Sequence, residues 1–336
     1  MSERTLEIQK RRTWKTYIFQ WEWFLLFLFI LICSINSSLS PYFLSFDTFL
    51  NAPMNFLDKA FLVLPMMMVI VLGNIDVSVG SIVALSSVVM AVSYNAGLPM
   101  PMALILALLV STFCGLINGM LITRFKELSA TIVTLSTMII FRGIAYIILE
   151  DRASGKFPEW FSFLAWGSIG KLPFIFLAFI VAAIVFALVL HRSRFGREIF
   201  AMGNNSTACR YSGIKTDAVL MKVSLLTGFM AGITALFLTS RMGSTRPNVA
   251  QGYELDVIAM VVLGGVSTSG GKGRIGGPIL AIFIIGFLNY GLGLVNISAQ
   301  VLLVILGLLL ILSVMIQNAR FLKRNQKSVR SLPTKS

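Results

Sequence analysis

The sequence predicts an all-α membrane protein whose chain crosses the bilayer about ten times. The first observation is composition: 57% of the 336 residues are hydrophobic and only 12% are charged, with a mean hydropathy of +0.85. A soluble domain carries roughly 25% charged residues, about twice this share. The second observation is a series of apolar stretches close to the roughly 20 residues that a helix needs to cross a hydrocarbon core. These observations exclude a soluble fold.

Ten apolar segments are the candidate spans, and an even number of spans returns the chain to its starting side. They cover residues 21–40, 56–74, 76–96, 99–122, 129–149, 172–190, 218–240, 254–268, 277–295 and 297–316. Basic residues crowd both ends of the chain, so both termini are expected in the cytoplasm. The predicted regions are a cytoplasmic basic tail at 1–18, a transmembrane domain at 19–316 and a second cytoplasmic basic tail at 317–336.

The loops support the same topology. From a cytoplasmic start, residues 123–127, 191–217 and 267–274 fall inside, whereas 150–171 and 241–254 fall outside. The loop 191–217 is the longest inside loop, and it is expected either to dock a cytosolic partner or to lie as a helix in the headgroup layer. The formal charge of +14 is attributed to topology and to anionic membrane lipid, and no nucleic-acid partner is expected.

Signatures of catalysis and of cofactor binding are missing from the sequence. His191 is the single histidine and has no neighbour to orient it, and the three cysteines show no metal-ligand spacing. The stretch "GGVSTSGGKGRIGG" (264–277) lacks the spacing of a phosphate-binding loop, because Val266 stands where a glycine is needed. We therefore expect no enzyme, no cofactor and no metal, and a tight turn between packed helices at this stretch.

One carboxylate interrupts the apolar run in the stretch "LGNIDVSVGS" (72–81). An ionised side chain within a span is costly and usually faces a cavity, a partner or a pathway. Gly80 loosens a helix there, and Ser78 and Ser81 can satisfy freed backbone groups, which favours a broken helix. The simpler alternative is that Asp76 caps the next helix at its N-terminus.

The fifth span, "ATIVTLSTMIIFRGIAYI" (130–147), carries hydroxyl groups and one cation. Three threonines recur at helical spacing, so one helix face is hydroxylic: Thr131, Thr134 and Thr137. Arg142 falls deep in the span and needs a carboxylate, carbonyl groups or water as its partner. Asp76 and Asp256 are the candidate carboxylates, and Asp256 lies with Glu254 at the outer mouth of the eighth span.

Four separate motifs resemble one family. They are "GNIDVSVGSIVALSSVV", "GLINGMLITRFKELSATIVTLSTMIIFRGIAYI", "FGREIFAMGNNSTACRYSGIKTDAV" and "GYELDVIAMVVLGGVSTSGGKGRIGGPIL". Together they resemble the membrane permeases of bacterial ABC importers for simple sugars, of the ribose, xylose, rhamnose and autoinducer-2 type, from about residue 50 to 315. Ser136 departs from the family pattern, in which glycine is more usual at this place.

The resemblance implies partners and site residues. Two identical or related permeases would lie in the bacterial inner membrane, with cytosolic ABC ATPase subunits below and an extracytoplasmic sugar-binding protein above. The positions that match the family's ATPase-coupling loop are Phe195, Gly196, Arg197, Gly203, Ala208, Ser212, Gly213 and Ile214. The positions matched to the translocation path or helix break are Asp76, Ser78, Gly80, Ser81, Thr134, Arg142 and Glu254.

The resemblance also implies an alternating-access mechanism. ATP binding would close the ATPase pair, the coupling loop would transmit the movement, and a monosaccharide or small polyol would pass between the permeases. Because ATP supplies the energy, Asp76 is expected to organise the helix break beside the path. The rival hypothesis is a stand-alone secondary transporter or exporter with Asp76 as its ion-coupling site, which predicts several intramembrane carboxylates and an inverted repeat.

Overall fold

A computed structural model of the chain describes residues 21–298, 300, 301, 303–313 and 315. The tails predicted at 1–18 and 317–336 lie outside these residues, so their place relative to the membrane stays a prediction. Within the described residues, every element longer than four residues is an α-helix.

The helices are numbered in chain order. They are α1 (Trp21–Leu39), α2 (Phe46–Asn51), α3 (Leu57–Val71), α4 (Val79–Asn95), α5 (Met100–Arg124), α6 (Ala130–Leu149), α7 (Phe163–Trp166), α8 (Phe174–Arg192), α9 (Arg194–Asn204), α10 (Ser206–Tyr211), α11 (Thr216–Met242), α12 (Tyr253–Leu263), α13 (Gly276–Leu294) and α14 (Leu303–Ser313). Two 3₁₀ helices lie at Ala52–Asn55 and Glu159–Ser162. Four short strands complete the fold: β1 (Ser154–Gly155), β2 (Ser168–Ile169), β3 (Leu172–Pro173) and β4 (Ser244–Thr245).

The helices match the predicted apolar segments. Each of the ten segments overlaps one of α1, α3, α4, α5, α6, α8, α11, α12, α13 and α14, with boundaries that differ by at most a few residues in most cases. In the described part of the chain, six helices are long and apolar enough to cross a membrane, or seven if α3 and the helical turns before it, bent by 65°, count as one span. Helices α4 and α14 are shorter apolar helices. The prediction of an all-α polytopic membrane protein is confirmed, and the count of ten stays a prediction.

Helix α3 forms the centre of the bundle. All 15 of its residues are buried, including the charged residues Asp58 and Lys59. The helix packs against α8, α11 and α12, and the Phe61 ring stacks on Phe237 of α11 with ring centroids 4.8 Å apart. A helix that is buried on every side needs apolar residues all round, which explains why this segment shows no polar face in the sequence.

Loops predicted on the same side of the membrane meet at the same end of the bundle. At one end, Lys126 Nζ lies 2.7 Å from Asp217 Oδ2, and Asn204 Nδ2 donates to Gly271 O at 3.2 Å. These contacts join all three loops predicted inside, so we call this the inner end. At the other end, here called the outer end, β1 pairs antiparallel with β4 and joins the two loops predicted outside.

Five ionisable side chains meet at the outer end, and we call them the outer cluster: Asp58, Lys59, Arg241, Tyr253 and Asp256. Arg241 Nη2 lies 3.0 Å from Asp58 Oδ2, and the Tyr253 hydroxyl donates to the same oxygen at 2.9 Å. Lys59 pairs with Asp256, and its ammonium group lies 5.3 Å from the centre of the Tyr253 ring. The outer cluster therefore ties the first turn of α3 to the end of α11 and the start of α12.

Asp58→Ala is expected to destabilise the protein, because it leaves the guanidinium of Arg241, with only 23% of its side chain exposed, without a carboxylate. Removing one partner of a buried ion pair costs about 3–5 kcal/mol. The measurement is the unfolding temperature of the detergent-purified protein, followed by tryptophan fluorescence.

Arg152→Ala is the matched control for this prediction. Its pair with Glu150 also involves an arginine and a carboxylate, but the two side chains are 80% and 69% exposed. Such a pair contributes at most about 1 kcal/mol. Equal unfolding temperatures for the two variants would contradict a stabilising outer cluster.

Candidate functional site

Seven residues between α3 and α4 are not helical, and we call residues 72–78 the break segment. Helix α3 ends in a Schellman motif, in which the Gly73 N–H donates to Ile70 O at 2.9 Å and the Asn74 N–H donates to Val69 O at 3.1 Å. Gly73 has a φ of +80°, the left-handed conformation that this motif places on glycine. The chain then runs without helical hydrogen bonds until α4 begins.

Asp76 orders the turn that leads into α4. Its Oδ1 accepts hydrogen bonds from the Ser78 N–H at 2.9 Å and from the Ser78 hydroxyl at 2.6 Å. The Ser81 hydroxyl donates to Ser78 O at 2.7 Å, and all three side chains are buried. Ser78 occupies the N-cap position of α4, so the interpretation of Asp76 as the cap itself is wrong. A carboxylate that bonds to the backbone two residues ahead instead stabilises the turn before the helix.

Thr134 and Asn118 satisfy the break segment from two other helices. Thr134 Oγ1, on α6, accepts from the Val77 N–H at 3.3 Å and donates to Ile75 O at 3.2 Å. Asn118 Nδ2, on α5, donates to Ser78 Oγ at 2.7 Å. Sequence reasoning singled out Thr134 but missed Asn118, although an asparagine within an apolar span is itself a signal.

A small cavity lies beside the break segment, lined by Asp76, Thr134 and side chains of α3, α5 and α11. Its volume is about 20 Å³. A water molecule needs roughly 10–15 Å³ of such space, so the cavity accommodates one water and is too small for a sugar ring. The break segment is therefore packed in this structure.

Arg142 binds backbone carbonyl groups near the outer end. Its Nη1 donates to Pro247 O and to Val249 O, each at 2.7 Å. Of the partners that the sequence left open, carbonyl groups are therefore confirmed, and the candidate carboxylates Asp76 and Asp256 are wrong, because Asp76 bonds within its own turn and Asp256 belongs to the outer cluster. Carbonyl groups satisfy the guanidinium instead, and Arg142 holds the segment between α11 and α12 against α6.

Two of the matched motifs meet where α4 passes the start of α12. A Cβ added to Gly80 would overlap Glu254 Oε2 and lie 2.6 Å from Ala250 O. Glu254 Oε1 accepts from the Gly252 N–H at 3.2 Å, whereas Oε2 is buried without a hydrogen bond from any described residue. Only glycine at position 80 leaves room for this carboxylate.

The predicted coupling loop, residues 191–217, forms two capped helices, and we call it the inner segment. Ser193 caps α9 by accepting from the Gly196 N–H at 3.0 Å, and Asn205 caps α10 through its side-chain oxygen. Helix α10 ends in a second Schellman motif, with Gly213 at a φ of +83°. Helix α9 packs on α3, α8 and α11, which fixes the inner segment to the bundle.

The eight predicted positions of the inner segment divide into two groups. Four are exposed: Arg197, Ala208, Ser212 and Gly213. Four are buried or half-buried against the bundle: Phe195, Gly196, Gly203 and Ile214. Sequence reasoning missed Tyr211, which is 89% exposed beside Arg210. An aromatic residue among basic residues in a predicted docking loop is a signal for a contact with a partner.

The inner segment touches the end of α3 directly. A Cβ added to Gly203 would overlap Val71 O and lie 2.5 Å from Gly271 N. The Gly271 N–H donates to Val71 O at 2.8 Å, and Asn204 Nδ2 donates to Gly271 O at 3.2 Å. Val71 is the last residue of α3, so this contact, here called the inner junction, borders the break segment.

The site holds helix ends and backbone groups in place. The described residues contain no group of three or more His, Cys, Asp or Glu side chains that could hold a metal ion. His191 Nε2 accepts from the Ile275 N–H at 3.3 Å, which ties the glycine-rich turn to the end of α8. This is a structural use of the histidine.

The fold is thus a polytopic helical bundle with a fully buried central helix, a break segment after it and a capped inner segment. The family described as branched-chain amino acid transport system / permease component matches residues 51–314, and the chain belongs to this family. The chain is therefore a multi-pass permease of the bacterial inner membrane.

Curated relatives agree with this assignment. The ribose import permease protein RbsC of Bacillus subtilis (strain 168) is 35% identical over 298 residues, which cover 88% of this chain and 91% of that protein. The autoinducer 2 import system permease protein LsrD of Yersinia enterocolitica is 34% identical, covering 88% and 90%. LsrD of Salmonella typhimurium is 33% identical, covering 90% and 92%. No solved structure matches the chain.

Gly80→Ala is expected to reduce the yield of folded protein and its unfolding temperature, because the new Cβ would overlap the Glu254 carboxylate. Gly143→Ala on α6 is the matched control, since a Cβ there meets nothing within 4 Å. Alanine is about 1 kcal/mol more favourable than glycine within a helix, so the control should be at least as stable as the parent. Equal stability of the two variants would contradict the contact between the two motifs.

Proposed function

We propose that this protein is the membrane subunit of an ATP-driven importer and forms the translocation path for a monosaccharide or a similar small polyol. Two similar proteins are named as import permeases for ribose and for autoinducer 2, and each aligns with 88% of this chain. A cytosolic ABC ATPase would hydrolyse the ATP. An extracytoplasmic binding protein would deliver the sugar, so the permease itself needs only weak sugar contacts.

The inner segment is the observation that carries this proposal. The apolar side of α9 is buried in the bundle through Ile199 and Met202, so the headgroup layer is not needed to cover it. Arg197, Tyr211 and Ser212 are exposed on the surface of the inner segment. A rigid, capped surface of this kind suits docking of the ATPase.

A second permease, identical or related, would complete the path. Polar side chains lie at the surface near the outer end, where Asn248 and Gln251 are exposed and Arg142 and Glu254 are half-buried. Charged groups on a span are not left to hydrocarbon, so this face is expected to meet water or a partner. In the proposal, this face and the adjoining surface of α6, including Ser136, line the path between the two permeases.

The proposal gives Asp76 a structural role in the break segment. Its carboxylate accepts two hydrogen bonds from Ser78, and the adjoining cavity has room for one water molecule only. Asp58 and Asp256 are paired with cations, which leaves them unsuited to carry a coupling ion. These contacts favour the importer over a secondary transporter that uses Asp76.

The proposed topology has ten spans, with both termini and the tails at 1–18 and 317–336 in the cytoplasm. The inner end would then face the cytosol, and the outer end would face the binding protein. The contacts among the three loops at the inner end support placing them on one side.

The first test is co-purification of the protein from detergent with a co-expressed candidate ATPase. The parent chain should yield a stable complex with ATPase activity, and replacement of residues 203–215 by a flexible linker should lose it. Transport of a sugar by the purified protein alone, driven by an ion gradient in vesicles, would contradict the importer and favour the secondary transporter.

Gly213→Glu is expected to abolish sugar uptake while the protein remains in the membrane. Glutamate is strained at a φ of +83°, as most residues other than glycine and asparagine are, and it also adds a negative charge to the proposed docking surface. Gly213→Asn is the matched control, because asparagine tolerates this conformation and should retain most uptake. Membrane levels are compared by immunoblot and uptake with radiolabelled sugar. Normal uptake by Gly213→Glu would contradict this role of the inner segment.

A further inference from the structure

Helix α3 reaches from the inner junction to the outer cluster as one continuous helix, with a buried proline, Pro65, inside it. It has 15 residues, which at about 1.5 Å per residue gives a length of roughly 22 Å. Both of its ends are interrupted, by the 65° bend before Leu57 and by the break segment after Val71. The helix can therefore move relative to the chain segments that precede and follow it.

The inner end of α3 is held by the inner segment. The carbonyl oxygen of Val71 accepts from the Gly271 N–H and lies directly under Gly203, where even a Cβ would not fit. Asn204 adds a hydrogen bond to Gly271 O. A displacement of α9 therefore pushes or pulls the end of α3 without an intervening flexible side chain.

The outer end of α3 is held by charges. Asp58 bonds to Arg241 and Tyr253, and Lys59 pairs with Asp256, so two neighbouring residues of α3 bind two other helices. Buried ion pairs of this kind are weak contributors to net stability, and their best-attested use is to fix one arrangement over another. An arrangement held by specific pairs can also be exchanged for a second one when a helix shifts.

We propose that α3 is the rod that transmits movement of the inner segment to the outer cluster, so that the state of the ATPase decides whether the outer ends of α3, α11 and α12 are held together. The inference rests on the proposed function, because it needs an ATPase at the inner segment. The burial of all 15 residues makes α3 suited to this role, since a close-packed helix moves as a unit. Gly203, Asn204 and Asp58 are positioning residues in this scheme.

The experiment is a double-mutant cycle on the complete complex in vesicles with the binding protein and its sugar. The variants are Asn204→Ala at the inner junction and Asp58→Asn in the outer cluster, alone and combined. The readouts are ATP hydrolysis and sugar transported per ATP. We expect Asp58→Asn to change the rate of hydrolysis in the parent background and to have no such effect in the Asn204→Ala background. Coupling along such networks changes a rate by about two- to thirtyfold.

Mutations near opposite ends of a helix roughly 22 Å long are expected to act independently unless a structure joins them. If the effect of the double mutant on hydrolysis equals the product of the two single effects to within about twofold, the proposal is overturned. Independent mutations usually agree with such a product to about this margin. Tyr253→Phe gives a second, nearly isosteric variant of the outer cluster if Asp58→Asn does not fold. Thr123→Ala is the control at the inner end, because its hydroxyl bonds to Gly119 O and Met120 O of its own helix.

The outcome also separates this proposal from the proposed function. If the parent complex transports sugar with ATP but the two mutations act independently, the role of α3 is wrong and the proposed importer function stands. A parent complex without ATP-driven transport removes both. Loss of sugar transported per ATP in Asn204→Ala, with the ATPase still bound, would support α3 as the transmitting element, because a merely unfolded variant would lose the ATPase as well.

Discussion

The structure depends on the hydrogen bonds that satisfy the backbone at the break between α3 and α4. In hydrocarbon, each unpaired backbone group costs several kcal/mol, so a broken helix survives only where other groups replace its missing bonds. Asp76 supplies one such bond from within the break segment, and Thr134 supplies two from α6. Because Thr134 lies on α6 and the break segment leads directly into α4, these bonds fix how α4 and α6 lie against each other.

Hydrogen bonds to backbone carbonyl groups also join other parts of the bundle. Arg142 binds two carbonyl groups, Trp21 on α1 donates its indole N–H to Leu263 O at 2.8 Å, and Gly271 donates to Val71 O. The bonds of Trp21 and Gly271 run to the last residue of a helix, and those of Arg142 run to the segment between α11 and α12. In lipid the hydrophobic effect does not drive helices together, so close packing and hydrogen bonds between helices select their arrangement. Directional bonds of this kind therefore help to decide which helices are neighbours.

The fold was largely predictable, and the site only in part. The lengths of the apolar stretches located all ten helical segments, and the charges of the loops indicated which loops meet at each end. Both signals were predictable because they depend on residues that are close together in the sequence. Carbonyl groups were one expected kind of partner for Arg142, but which carbonyl groups it binds was not predictable, since they leave no trace in a sequence. Asp58 and Lys59 escaped notice because they stand at the edge of an apolar run, where charges are common. Gly80 was matched by its motif, but its contact with Glu254 depends on how two distant helices cross.

The inner segment has a consequence for how such permeases diverge. Its caps at Ser193 and Asn205 and its end at Gly213 lie within the segment, so its shape is set locally. The exposed side chains of Arg197, Ala208 and Tyr211 supply none of these caps. Mutation can therefore change the outward surface while the backbone stays the same. Duplicated permeases could acquire separate ATPase partners through a few surface substitutions, without any change to the membrane-embedded bundle.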